Sequence, residues 1–217
     1  MSENPYAPDY DGLPETIPIF PLHGVLLLPK GQLPLNIFEE RYLAMIEDAM
    51  RSHRLIGIIQ PENSHGKSLF NTGCAGKITG FQETGDGRFL ITLTGICRFN
   101  ISEELHTTTE YRQVKPDWSA FKNDLGKREC LNLNRERLIE LLQSYFEMHE
   151  LSCSWEHIEQ ASDEKLITCL SMICPLEPGE KQVLLEAQTC ADRGAKFLAI
   201  LEMAVKGASN SASGKCH

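Results

Sequence analysis

The chain has 217 residues, with 30 acidic against 21 basic side chains and a formal charge of −9. The excess is spread evenly, 15 acids to 10 bases over residues 1–120 and 15 to 11 over 121–217. Neither half is therefore a basic module of the kind that neutralises phosphates, which counts against DNA or RNA as a partner. The length suits one large domain or two small ones and falls short of a multi-module ATP-driven machine.

Residues 1–14 are rich in Pro, Asp, Tyr and Asn and read as a flexible lead-in without a basic start or an apolar stretch. With no export signal and no apolar run near membrane length, the chain is expected in the cytoplasm, its eight cysteines mostly reduced. From residue 15 to about 120, short apolar segments are cut by Gly and Pro. Ile17 to Leu22, Gly24 to Leu28 and Leu55 to Ile59 are predicted strands, and Gly31-Gln32-Leu33-Pro34 reads as a rigid turn. One helix interrupts them: Asn36 is placed to cap it, and Phe38, Tyr42, Met45, Ile46 and Ala49 repeat at helical spacing to about Arg51.

Residues 61–68, PENSHGKS, end like a nucleotide-binding P-loop. Pro61 stands where the first glycine is needed, and the glycines and Asn71-Thr72 that follow are poor material for the helix a P-loop requires. A loop from Pro61 to Thr72 is predicted instead. The clearest strand signal is 88–101, where Phe89, Ile91, Leu93, Cys97, Phe99 and Ile101 share one parity and Gly95 marks a bulge or bend. Gly85-Asp86-Gly87 predicts a hairpin that pairs 76–83 with that strand, its aspartate there for backbone reasons.

Beyond about Leu131 the period becomes helical. Leu138, Leu141, Leu142, Tyr145 and Met148 mark a helix over 132–149; Ser162 caps a second with Leu166, Ile167, Leu170 and Ile173 on its apolar face, stopped by Pro175. A third starts near Pro178 and runs through Val183, Leu184 and Leu185, and Thr189 with Asp192 caps a fourth carrying Phe197, Leu198, Leu201 and Val205. Residues 207–217 read as a disordered tail. Cys169 and Cys174 point to different helix faces and form no closed ligand set, and the seven histidines are scattered. No catalytic set, metal site or cofactor site is assigned.

The stretch Ile19-Phe-Pro-Leu-His-Gly-Val-Leu-Leu-Leu-Pro-Lys-Gly-Gln-Leu-Pro-Leu-Asn-Ile-Phe-Glu-Glu-Arg-Tyr42 resembles the opening of the Lon protease N-terminal, substrate-binding domain family. Its pattern is Phe-Pro-Leu, then Leu-Pro-x-Gly-x-x-Leu-Pro-Leu-x-Ile-Phe-Glu-x-Arg-Tyr. A second block, Gly76-Lys-Ile, Asp86-Gly-Arg88 and Gly95-Ile-Cys-Arg-Phe99, is similar to that family's Asp-Gly-Arg turn and Gly-x-x-Arg-Phe strand. Lys181-Gln, Leu184-Leu-Glu186, Arg193 and Leu198 resemble the helical region that follows. Glu40 departs from the pattern, since proline is common there.

The resemblance implies an α+β fold: an N-terminal PUA-like pseudo-β-barrel of about six strands with one inserted helix over 15–120, then a helical bundle over 121–206. It implies a stand-alone, non-catalytic recognition or adaptor module for unfolded or partly folded polypeptides, working beside a protease or chaperone and without ATPase or peptidase domains. RNA or nucleotide binding is the alternative, because other PUA-like barrels bind RNA; a hydrolase site assembled from distant residues is a third reading. The signature residues Pro29, Gly31, Phe38, Glu39, Arg41, Tyr42, Gly87, Arg88, Gly95, Arg98 and Phe99 are expected to be structural. Gly31 is free to take a positive φ, and Arg41 and Arg98 are expected to make ion pairs or carbonyl contacts. Leu33, Leu69 and Phe70 are the candidate polypeptide contacts, weighed against a plain anchoring role in their loops.

Overall fold

The computed structural model describes residues 8–63, 68–126 and 133–213, the side chains of 208–213 aside. Strand β1 (Ile17–Pro21) lies parallel to β3 (Leu55–Ile59), so the chain between them must cross over; it does so through β2 (Gln32–Ile37) and helix α1 (Glu40–Met50). β4 (Thr72–Glu83) pairs antiparallel with β3 and with β5 (Phe89–Leu105), and β6 (Gln113–Asp117) pairs with both β5 and β1. The order β2-β5-β4-β3-β1-β6, with β6 returning to β5, closes five strands into a ring. β2 joins only the first half of β5, and the ladder from Gln32↔Thr94 to Ile37↔Phe89 is its sole strand pairing among the described residues.

Closure depends on a bulge in β5. The register jumps from Gly76↔Gly95 to Ala75↔Cys97, leaving Ile96 as the extra residue. An inserted residue inverts the side-chain parity that follows it. Leu93 accordingly packs in the cluster that faces the helices, whereas Cys97 and Phe99 fill the barrel interior with Ile17, Ile19, Val114 and Trp118. The signature glycines permit this bend through close approach. A Cβ on Gly95 would stand 2.0 Å from the Leu28 carbonyl oxygen, and one on Gly31 would stand 2.3 Å from Met172 Sδ. The positive φ in this loop belongs to Lys30 (68°), while Gly31 serves to admit Met172, a correction to its expected role.

Several sequence boundaries move. Gly24 to Leu28 is an irregular segment with Leu26, Leu27 and Leu28 buried in the core; the strand expected there forms instead at β2, where a turn was expected. Asn36 sits in β2 opposite Leu90, so it cannot cap α1. Glu39 occupies that position without a side-chain cap, and Phe38 lies outside the helix, 63% exposed. Glu40 is the first helical residue, where proline is equally at home because the N–H there has no intrahelical partner. Part of the lead-in is ordered: a 3-10 turn covers Tyr10–Gly12, Tyr10 and Leu13 pack on the barrel, and Trp118 Nε1 donates to the Pro14 carbonyl at 3.1 Å. β6 carries no clear alternation and was not foreseen.

The second half contains α2 (Arg135–Met148), α3 (Trp155–Gln160), α4 (Asp163–Ile173), α5 (Pro178–Glu186) and α6 (Cys190–Ser213). Ser162 Oγ accepts from the Lys165 amide, and Thr189 Oγ1 accepts from the Asp192 amide while Asp192 accepts from the Gln188 amide, so the expected caps are in place. Pro178 opens α5 inside a capping box of Glu177 and Glu180. α3 lies outside the expected helices, α6 extends through 207–213, and Ile173 and Val183 turn to solvent rather than to the apolar face.

Buried polar bonds add to the apolar core that the two halves share. Arg98, 1% exposed, forms a bidentate pair with Asp124, Nε to Oδ2 and Nη2 to Oδ1 both at 2.9 Å, and Asp124 Oδ2 also accepts the Arg98 amide at 2.9 Å. Nη1 donates to the carbonyls of Leu185 (2.7 Å) and Ala187 (2.6 Å), at the end of α5, while the guanidinium lies 4.3 Å from the centre of the Phe121 ring. Lys181 Nζ donates to the Gly24 carbonyl, and Gln182 Nε2 to the carbonyl of Thr72. Gln60 Nε2 donates to Gln182 Oε1 and to the carbonyl of Pro178.

Two predictions follow from this geometry. Gly95→Ala should lose about 3 kcal/mol or more in urea unfolding, since the obstruction is backbone, whereas Gly85→Ala, with nothing within 4 Å of the added methyl, should stay within about 0.5 kcal/mol of wild type. Arg98→Met should cost about 3–5 kcal/mol by stranding the Asp124 carboxylate, and adding Asp124→Leu should recover a large part of that loss. Equal stability of Arg98→Met and wild type would contradict the role given to the pair.

Candidate functional site

The sequence-named residues divide by position. Arg98, Gly95, Gly31 and Phe99 are inside, at the junction of barrel and bundle or in the barrel core; Pro29 belongs to the loop closing over the β5 bulge, where the Lys30 amide donates to the Gly95 carbonyl and the Gly95 amide to that of Gly31. Phe38, Glu39, Arg41, Gly87 and Arg88 are outside, gathered where β2 ends beside the β4–β5 hairpin. Tyr42 connects the two groups: it is buried with its ring 4.1 Å from that of Phe20, and the Arg41 guanidinium lies 4.5 Å from the centre of the same ring.

The hairpin is built from local hydrogen bonds. Gly87 takes φ 79°, the Thr84 and Arg88 backbones pair, and the Thr84 hydroxyl donates to Asp86. That bond, aided by the Arg88 guanidinium 3.0 Å away, holds the Asp86 carboxyl below the usual carboxylate range. Arg88 in turn lies 5.8 Å from the centre of the exposed Phe38 ring. Arg41 is fixed by Glu39 at 2.7 Å.

A cleft of about 530 Å³ runs over the β2-β5-β4 face, lined by Pro34, Asn36, Gln82, Leu90 and Thr92 among others. Leu90 and Phe81 are 40% and 45% exposed, the ring of the latter tilted against that of Phe89 at 5.0 Å. The lining holds no charged side chain among the described residues, which offers nothing to a phosphate. The cleft borders the edge of β2. Pro34 sits within that edge strand, where its missing N–H takes nothing from the ladder with β5.

A second concavity of about 650 Å³ opens in the bundle between α2, α3 and α4. Its walls are largely apolar, including Phe146, Ile158, Leu166 and Leu170, with the exposed Ile173 at its lip. Cys153, Cys169 and His157 also line it, but no carboxylate does among the described residues, and burial pushes the Cys153 thiol upward, away from the thiolate a nucleophile needs. Cys74, Cys97, Cys153, Cys169 and Cys174 are thiols outside any disulfide, and Cys190 is disulfide-bonded. No cluster of three metal-ligating side chains occurs among the described residues. A third cleft holds His53 and Asp48, but Asp48 already accepts the Tyr111 hydroxyl at 2.8 Å and pairs with Arg51.

The three expected polypeptide contacts are not brought together. Leu33 is half-buried on β2 against the helix-facing core, Leu69 packs on the barrel core beneath an isolated bridge to Pro61, and the Phe70 amide donates to the Gln60 carbonyl. Leu69 and Phe70 lie at one end of β4 and the Phe38–Arg88 surface at the other. Of the P-loop-like run, residues 64–67 lie outside the described residues; after Ser68 the chain enters a strand, β4, rather than a helix. Sequence reading gives no role to Asp124 and Gln60 and names Lys181 and Gln182 only within the resemblance, because a polar side chain gives no periodic signal of burial.

The fold and sequence place the chain among known proteins. It shares the fold of the Lon N-terminal domain protein from Xanthomonas campestris (TM-score 0.61, 22% identity, 85% of this chain and 97% of that one). It likewise matches the N-terminal domain of Mycobacterium avium complex Lon protease (TM-score 0.62, 16% identity, 86% and 98%). Lon protease 2 of Myxococcus xanthus is 25% identical over 205 residues, 89% of this chain and 24% of the relative, so the chain spans about a quarter of the length of that protein. With residues 16–203 matching the family model, the chain belongs to the family of the ATP-dependent protease La (LON) substrate-binding domain.

Proposed function

We propose that the chain is a non-catalytic polypeptide-recognition module, acting in the cytoplasm as an adaptor for unfolded or partly folded chains presented to a protease or chaperone. The observation that carries this reading is the Phe38–Arg88 surface. Two residues of the family's sequence pattern contribute little to the core, yet are held exposed by local bonds beside a neutral, partly apolar cleft. A large exposed aromatic is costly to solubility and gains its return by being covered. The bordering edge of β2 adds main-chain groups that an extended segment can pair with, interrupted at Pro34, which limits edge-to-edge pairing between copies. Leu33, its side chain packed on the helix-facing core, would join this contact through its main chain on the β2 edge; Leu69 and Phe70 would form a separate one. Substrate binding, in a protease, is what the family's name states for the domain.

The test uses permanently unfolded, carboxymethylated α-lactalbumin in a fluorescence anisotropy titration. Phe38→Ser with Leu90→Ser should weaken binding about tenfold or more, because each large side chain returns roughly 1.5–3 kcal/mol when covered. The melting temperature should move by no more than about 2 °C, since both side chains face solvent. Failure of the wild-type chain to bind, or equal binding by the double variant, would refute this assignment.

A further inference from the structure

The groove in the helical half carries a different chemistry from the sheet-face cleft. Lys165, exposed on α4, is the one formally charged side chain in its lining among the described residues, and its ammonium makes no ion pair there. The neighbouring cations are engaged: Lys30 is bound to Glu164 at 3.1 Å and Arg135 to Asp163 at 2.6 Å. Apolar walls with one unpaired ammonium select an apolar body that carries one carboxylate. The surroundings narrow this further. Glu156 and Glu159 are exposed on α3, so a segment with several acidic residues meets repulsion where a single carboxylate does not. The wall also holds hydrogen-bonding groups, the His157 imidazole and the Ser154 hydroxyl, which makes no cap bond to its own helix. A fatty acid would cover these groups without satisfying them, whereas a peptide backbone offers partners for both.

From this geometry we infer a second polypeptide site in the α2–α3–α4 groove that takes the C-terminal end of a chain, its last apolar side chains against Phe146, Ile158 and Leu170 and its α-carboxylate on Lys165. The inference rests on the reading of the chain as a polypeptide-recognition module and adds a distinct site with a defined ligand class.

The probe is an N-terminally fluorescein-labelled octapeptide ending in Ala-Leu-Phe, compared as the free acid and as the C-terminal amide. The free acid should bind about tenfold tighter than the amide, the scale of a charge-assisted hydrogen bond in a partly covered site. Lys165→Glu should abolish that difference without lowering the melting temperature, because Lys165 is exposed and unpaired. Ile173→Ser should weaken the acid and amide forms together, and the Phe38→Ser, Leu90→Ser variant should leave the acid–amide difference intact. Equal binding of acid and amide, or a difference that survives Lys165→Glu, would overturn the inference while binding of carboxymethylated α-lactalbumin upholds the module itself. Displacement of the free-acid peptide by dodecanoate at lower concentration than by unlabelled peptide would also overturn it, in favour of a lipid site. If neither the peptides nor the unfolded protein binds, both readings fall.

Discussion

The Arg98–Asp124 pair is the interaction on which the arrangement of the two halves rests. A guanidinium at the end of the β5 bulge has lost its water and regains four hydrogen bonds from a carboxylate and two helix-terminal carbonyls. Charged groups in such a place are stable only when each is matched, so the geometry is demanding. Asp124 must come from the short helical turn after β6, and the carbonyls must come from the end of α5. Because Arg98 lies on β5, one side chain ties together the barrel, the connection and the bundle. Arg41, with the same chemistry, sits on the surface, paired with Glu39 and lying over the Tyr42 ring; burial separates the two roles.

The β5 bulge has consequences in two directions. Inward, it turns Cys97 and Phe99 into the barrel and aims Arg98 at the bundle. Outward, it lets β5 leave β2 and take up β6, which closes the ring and leaves β2 as an edge. The loop Pro29-Lys30-Gly31 locks the bend with two backbone hydrogen bonds to Gly95 and reaches α4 through Lys30 and Met172. The same device that completes the barrel therefore exposes the strand and the Phe38 surface beside it.

The two concave surfaces differ in a way that suits one module with two kinds of contact. The sheet-face cleft is neutral and bordered by free main-chain groups, and the bundle groove is apolar with a single cation. They lie on different halves, which are joined by a shared apolar core and by the buried Arg98, Lys181 and Gln182 bonds, and those bonds have no solvent to replace them.

Periodicity and local chemistry determined much of the chain. The Gly95 interruption, the Gly85–Gly87 hairpin, the Ser162 and Thr189 caps and the Pro175 stop are local signals whose physical causes act within a few residues, and they stand in the structure; the parity of 88–101 holds up to the bulge and inverts past it. Tertiary structure decided the rest. A proline-bearing stretch became β2 because a facing strand supplied its ladder, and Asn36 was drawn into that ladder and away from the helix cap. Burial of Asp124, Lys181 and Gln182 depends on partners more than twenty residues away, and the exposure of Phe38 and Ile173 depends on which neighbours fail to cover them. Local pattern tells which face of an element is apolar; only the packing of distant elements determines which apolar groups stay open and which charges are enclosed.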